Sequence, residues 1–435
     1  MKRLFVLLTL SLTLVRLSAQ YATSPFVPAH FRATNVAVIL PFNLASSSVE
    51  EDKQQMRSVE FYQGLLLAVN QAQLNGQHID LQTYDLGTRP MEEILTDEHL
   101  LDANVIIAPM ELNQVRQVAL FGESHDIPVF SPFVFGRDMV EGFPHLFQLN
   151  TPKSVLYPQL CEAICAQFRN YQMVFVTDSL FQSQIDPFSS YLQTVLDQKG
   201  IAYHRYTYNE PYSVVCMDSA LQLADKHVLY IPETSQQDAL RRFFPSLKNK
   251  LFLDAHPAMA EAIGASYASG MNSASNSVTV EEVFPDSLLE ADSVQFVTQE
   301  RQVAILGYPE WQLYTGDFMD YYYDLNVWMF TKFYANPFDF EVTGVYNDFK
   351  YWYNRSLMPK LLPKFGLLGY DVAAYILNQT QMYGTLRGDH AEELPFYSLQ
   401  TPMHFEQEGN GCFLNRSLYL VHFTPSTEIE RVVIK

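Results

Sequence analysis

The chain has 435 residues, with 28 Lys and Arg against 48 Asp and Glu, giving a formal net charge of −20. Nucleic acid is excluded as a natural partner, because phosphate recognition needs a basic face. With 48% hydrophobic and only 17% charged residues the chain is too apolar to be disordered, and at roughly 100 to 200 residues per domain it has room for two or three.

The first segment places Lys2 and Arg3 before an apolar stretch from Leu4 to Val15, followed by small residues at Ser18 and Ala19. That is the pattern of a secretory signal peptide, and Arg16 closes it well short of the roughly 20 apolar residues of a membrane span. Cleavage is expected after Ala19, leaving 25 basic residues against 48 acidic ones and a net charge of −23. No Cys follows the apolar stretch, so the expected product is a periplasmic protein with neither a lipid anchor nor a membrane span.

Val36 to Phe42 (VAVILPF) is a continuous apolar run of the kind a buried parallel strand shows. A helix is expected from Ser58 to Leu74, on the spacing of Phe61, Leu65, Ala68, Val69 and Ala72, with Gly76 as its stop. Strands follow at Ile79–Tyr84, Val105–Ala108 and Pro128–Phe130, with helical segments near Met91–Leu95 and Asn113–Glu123. Strands alternating with helices make a doubly wound unit.

A second series begins after Leu146–Leu149. It comprises a helix around Val155–Phe168, a strand at Met173–Val176, and a helix opened by Asp186-Pro187 and closed by Gly200. Strands at Ile201–Tyr206 and Val228–Ile231 and a helix at Gln236–Phe244 continue it. Between about Leu253 and Val303 the pattern gives way to polar, small and acidic residues, read as an inserted loop. Trp311, Trp328 and Trp352 then fall in one aromatic region, with helices expected at Asp339–Asn354 and Gly369–Tyr383 and short closing strands at Met403–Phe405, Leu418–Phe423 and Arg431–Ile434.

Cys161 and Cys165 lie four apart on a predicted helix, where Cβ atoms stand roughly 5 to 6 Å apart, too far for a disulfide; free thiols are expected there. The spacing leaves Cys216 and Cys412 undecided. No zinc-protease, Cys-x-x-Cys, phosphate-loop or nucleophile-elbow motif is present, so no catalytic residue, metal or cofactor is assigned. The histidines of Gly122–Asp126 and Leu253–Pro257 and the acid pairs Glu92-Glu93, Glu281-Glu282 and Glu392-Glu393 read as surface features of an acidic chain. Four Asp-Ser-apolar triplets resemble a bacterial O-glycosylation sequon, with Ser287 and Ser293 in the insertion the favoured positions.

The order VAVILPF, EFYQGLLLAVNQ, IDLQTYD, VIIAP, IPVFSPF, followed by HLFQLN, VLYIPETSQQDALRRFFPSL, ILGYPEWQ, FGLLGYDVAAYIL and TPMHFEQEGNGCFLNRSLYLVHF, resembles the type I periplasmic binding proteins of the leucine/isoleucine/valine-receptor-like group. Within it the chain looks most like envelope proteins that pair this module with LysM repeats, although no segment before Val36 is long enough to hold one. The resemblance implies an α/β fold of two doubly wound lobes joined by three crossovers. After a leader at 1–19 and an extension at 20–34, lobe 1 would span 35–149 and lobe 2 would span 150–331, with the insertion at about 254–302. The chain would then return to lobe 1 at 332–390 and to lobe 2 for closing strands at 391–435.

A ligand would sit between the lobes, where strand ends and helix N-termini offer N–H groups. Residue by residue, the resemblance implies Met110, Glu111, Leu112, Asn113, Ser131, Pro132 and Phe133 on the first lobe. On the second it implies Asn150, Thr151, Glu233, Thr234, Tyr308, Glu310 and Trp311. Amino-acid receptors of the group carry a small Ser/Thr-rich loop where this chain has MELN, so a ligand carboxylate would meet Glu111. A neutral or cationic ligand stacked on Trp311 is one resolution and a cleft that has lost small-molecule binding is the other. Plainer roles stand beside these: Tyr308 and Trp311 as core packing, Glu111 as a first-turn acid favoured by the helix dipole. The functions implied are a non-catalytic periplasmic ligand-binding protein or an envelope scaffold that contacts another protein.

Overall fold

The computed structural model describes residues 33–43, 53–134, 142–223, 225–256, 278–283, 301–386 and 397–435; the expected leader, most of the insertion, and Ser287 and Ser293 lie outside the described residues. Strand β1 (Thr34–Leu40) is buried from Val36 onward on both faces, as an interior parallel strand must be. It pairs in parallel with β2 (Ile79–Asp85) and β3 (Val105–Ile107), and β4 (Val129–Ser131) and β5 (Leu146–Gln148) extend the ladder. Between them run α1 (Lys53–Leu74) and α2 (Leu112–His125), the second closed by Asp126 in the left-handed region at φ 58°.

The second lobe repeats the plan with α3 (Lys153–Gln167), β6 (Gln172–Asp178), α4 (Pro187–Lys199), β7 (Tyr203–Tyr208), β8 (Val228–Pro232) and α5 (Gln237–Ala255). Helix α4 starts where Asp186 accepts a hydrogen bond from the Phe188 N–H at 2.9 Å and stops at Gly200, φ 67°. Helix α5 continues eleven residues beyond the expected end at Phe244, straight through Pro245. Its extension is held by tertiary contacts, because Leu247 and Lys250 are fully buried beneath it. From within the insertion, β9 (Val278–Val283) pairs antiparallel with β7, and β10 (Val303–Gly307), α6 (Asp317–Asp324) and β11 (Val327–Thr331) complete the lobe.

Helices α7 (Phe340–Tyr353) and α8 (Phe365–Tyr383) return to the first lobe, followed by β12 (Phe405–Gln407), β13 (Phe413–Asn415), β14 (Leu418–Phe423) and β15 (Ile429–Ile434). The sheet orders are β12-β13-β5-β4-β3-β1-β2 and β15-β14-β11-β10-β8-β6-β7-β9. The segment 391–435 is therefore not all second lobe: β12 and β13 add to the first sheet, through the parallel pairing of β13 with β5, and only β14 and β15 belong to the second. The chain crosses between lobes three times, after β5, after β11 and between β13 and β14, as the resemblance implies.

Three devices fix the frame. Helices α1 and α8 cross at glycines: a Cβ on Gly64 would lie 1.7 Å from the Gly366 carbonyl oxygen, and one on Gly369 would lie 1.8 Å from that of Phe61. The fully buried Asp371 carboxylate accepts the N–H groups of Leu399, Gln400 and Thr401 at 2.7, 2.9 and 2.8 Å, pinning the chain to α8. At the base of the insertion Asp218 meets Lys250 at 2.5 Å and also Arg301 and the Tyr230 hydroxyl, while Asp254 meets Lys250 at 2.5 Å and Arg301 at 3.1 Å. All four cysteines are free, and burial pushes the Cys161 and Cys412 thiols up to about 12. No helix among the described residues is long and apolar enough to cross a membrane.

Candidate functional site

In parallel sheets the loops at the carboxyl ends of the strands are where side chains converge, and here both sheets turn those ends toward the same cleft. On the first lobe, Met110 follows β3 and Pro132 and Phe133 follow β4. The first turns of α1 add Gln54 and Arg57, and α8 adds Phe365 and Leu368, enclosing a cavity of about 290 Å³ with Asn150, Phe333 and Pro363. The Phe133 ring meets Phe61 edge-on at 4.8 Å and stacks on Phe365 at 6.3 Å, and the Arg57 guanidinium lies 5.5 Å from the Phe365 centroid. This end is aromatic with one cation.

A second cavity, about 370 Å³, adjoins it and shares Asn150, Phe333 and Pro363. The crossovers supply Thr151, Lys153 and Lys332; Asp186 and Glu310 come from the ends of the second sheet, and Leu156, Tyr157, Leu160, Phe330 and Leu418 form apolar walls. The Lys332 ammonium donates to the Asn150 side-chain oxygen and, at 3.4 Å, to the Thr151 carbonyl. Asn150 is oriented by donating its own amide to the Phe133 carbonyl at 3.2 Å. Thr151 donates its hydroxyl to the Asn415 carbonyl at 2.6 Å, so the first and third crossovers are tied together. Burial, and next the Lys153 ammonium, push Lys332 down to about 8. Burial raises the Tyr157 hydroxyl, with Asp186 and Glu310 adding to the effect.

Of the residues expected from sequence, Met110, Pro132, Phe133, Asn150, Thr151 and Glu310 line these cavities. The others point elsewhere. Glu111 is the exposed N-cap residue of α2 and makes no side-chain cap bond, Leu112 packs against the first-lobe core, and Asn113 is exposed. Ser131 is buried within β4. Glu233 is buried and satisfied internally, accepting from Thr177, from Gln193 at 2.6 Å and from Ser189 at 3.3 Å. Thr234 caps locally, its hydroxyl oxygen accepting the Gln236 N–H at 3.2 Å.

The stacking role for Trp311 does not survive. Its ring is 0% exposed, packed against Phe244, Tyr308 and Tyr322 and seated on Gly307, where a Cβ would come within 2.3 Å of it. Tyr308 is equally buried and donates its hydroxyl to the Pro232 carbonyl at 2.8 Å. The aromatic region is thus mostly second-lobe core rather than cleft wall, and Trp352 is exposed on α7. Sequence reading missed Arg57, Lys153 and Lys332, although Lys332 directly follows a strand end.

No family model and no curated protein matches the chain. Among solved structures it is similar to a substrate-binding protein of an ABC transporter from Desulfitobacterium hafniense in complex with Leu, at 12% identity and a TM-score of 0.41 over 92% of this chain and 100% of that one. It is also similar to a putative branched-chain amino acid ABC transporter protein from Rhodospirillum rubrum, at 12% identity and a TM-score of 0.48 over 92% and 96%. The C-domain of LpoA from Haemophilus influenzae, a regulator of PBP1A, gives 10% identity and a TM-score of 0.47 over 92% and 99%.

Proposed function

We propose that this is a non-catalytic, exported protein of the periplasm that binds a small ligand between its two lobes, closing about the three crossovers. The observation that carries the reading is the pair of adjoining cavities walled by both lobes and by the crossovers, open rather than filled by the chain's own side chains. A ligand there would touch every element that moves when the lobes close, so its binding energy is spent on closure. The start of the sequence, with its leader-like segment, supports export. Native mass spectrometry of the protein purified from its own periplasm tests the reading: a co-purifying small molecule, lost on substitution of Asn150 and Phe133, is expected. A bare chain whose solution scattering is unchanged by amino acids, sugars, peptides and organic acids refutes it.

The second reading, an envelope scaffold, draws on a different feature. Phe338, Phe340, Tyr351 and Trp352 are 76, 85, 79 and 61% exposed at the two ends of α7, more aromatic surface than solubility favours. A co-purifying protein lost on Phe340→Ala with Trp352→Ala, in place of a small molecule, selects it.

A further inference from the structure

The chain is acidic overall, 48 acids to 28 bases, yet among the described residues the larger cleft cavity is lined by two bases, Lys153 and Lys332, and two acids, Asp186 and Glu310, while Arg57 is the one charged residue of the smaller. Asp186 and Glu310 line the same cavity as Lys153 and Lys332, but the contacts of Lys332 run to Asn150, the Thr151 carbonyl and, 5.8 Å away, the Phe333 ring, all neutral. Lys332 makes no ion pair with a described carboxylate. An ammonium has three donors, and two are used on neutral oxygens. Partly buried charge without a counter-ion is costly to the folded chain, and here the cost is concentrated beside an open cavity.

We infer that the larger cavity takes a small organic monoanion, its negative group held by Lys332 and Lys153 and its apolar body laid against Leu156, Leu160, Phe330 and Leu418. The inference rests on the reading of the cleft as a ligand site and adds the chemical class. A second negative charge on the ligand would meet Asp186 and Glu310, which line the same cavity, so dianions are rejected and a hydrogen-bond donor is favoured beside them. The cost of desolvation at Lys332, which lowers its proton affinity, is offset by the attraction of an arriving anion.

The test is titration calorimetry on the full exported chain with 3-phenyllactate, its methyl ester and phenylsuccinate, alongside a graded series of other monocarboxylates. The monoanion is expected to bind at least about 10-fold tighter than the ester or the dianion, the scale of a charge-assisted hydrogen bond. Lys332→Met removes that preference, and Lys153→Gln, at an exposed helix start, weakens it while leaving the fold untouched. An ester that binds as well as its acid, a preference that survives in Lys332→Met, or no binding across the monocarboxylate series overturns the inference. A neutral molecule found in the cleft by native mass spectrometry also overturns it and leaves the ligand-binding reading standing; an empty cleft under every condition removes both.

Discussion

The crossing of α1 and α8 permits a sharp quantitative test. Replacing Gly369 with Ala builds a Cβ 1.8 Å from the Phe61 carbonyl oxygen, 2.8 Å from its carbon and 3.0 Å from the Leu65 nitrogen. All three are backbone atoms, so no side-chain rotation relieves the clash. Ordinary contact begins near 3.4 Å, and the helices must part by on the order of 1.5 Å to reach it. That movement loosens Phe61, Leu65, Leu368, Val372 and Ile376, all packed in the first-lobe core. Helix propensity alone favours Ala by about 1 kcal/mol, whereas overpacking that shifts backbone costs about 1 to 3 kcal/mol or more. With five core side chains affected the upper end applies, and a net loss of about 2 to 3 kcal/mol is expected. Gly344 on α7 is the control, since nothing lies within 4 Å of its added Cβ; there the same substitution is expected to stabilise by about 0.5 to 1 kcal/mol. The assay is urea unfolding read by hydrogen exchange in peptides of α1 and α8, with peptides of β8 and β10 reporting the second lobe. Gly369→Ala should weaken protection in the first lobe and leave the second unchanged. Wild-type protection in Gly369→Ala would refute the argument that these glycines set the interhelical distance.

Two further outcomes follow from buried charges. Full burial outweighs three N–H donors at Asp371 and raises its carboxyl to about 7 from an ordinary 3.8. The folded state therefore holds this proton more tightly than the unfolded state, so Asp371 contributes stability below pH 4 that is lost as pH rises through about 7, on the order of 4 kcal/mol. Other acids titrate too, so the measurement is the difference in urea midpoint between wild type and Asp371→Asn from pH 4 to 8; a difference independent of pH contradicts the assignment. Asp218→Ala leaves the buried Lys250 with Asp254 as its remaining acid partner at 2.5 Å and is expected to cost about 3 kcal/mol. Faster hydrogen exchange in the second half of α5 checks it, and unchanged exchange there counts against a clamp at the base of the insertion.

The elements most readable from sequence were those whose local chemistry agrees with their environment. The apolar run of β1, the Asp186-Pro187 start and Gly200 stop of α4, and the order of strand and helix in both lobes needed no tertiary information. Helix α5 shows the converse: Pro245 argues locally for an end, and only the burial of Leu247 in the second-lobe core and of Lys250 against Asp218 explains why the helix goes on. At the site the same division holds. Residues directly after strands, such as Met110, Pro132, Phe133, Asn150 and Glu310, reach the cleft because chain direction alone puts them there. Trp311 occupies such a position too, yet a glycine at 307 lets its ring fold back into the core, and nothing in the spacing distinguishes an aromatic that folds inward from one that faces a ligand. The cations were hidden for a different reason. Composition averages charge over the whole chain, whereas Arg57, Lys153 and Lys332 lie far apart in sequence and meet only when α1, the first crossover and the second crossover are brought to one cleft. Among the described residues the cleft of this acidic chain holds bases and acids in near balance, three against two, and recognition follows that local composition rather than the net charge.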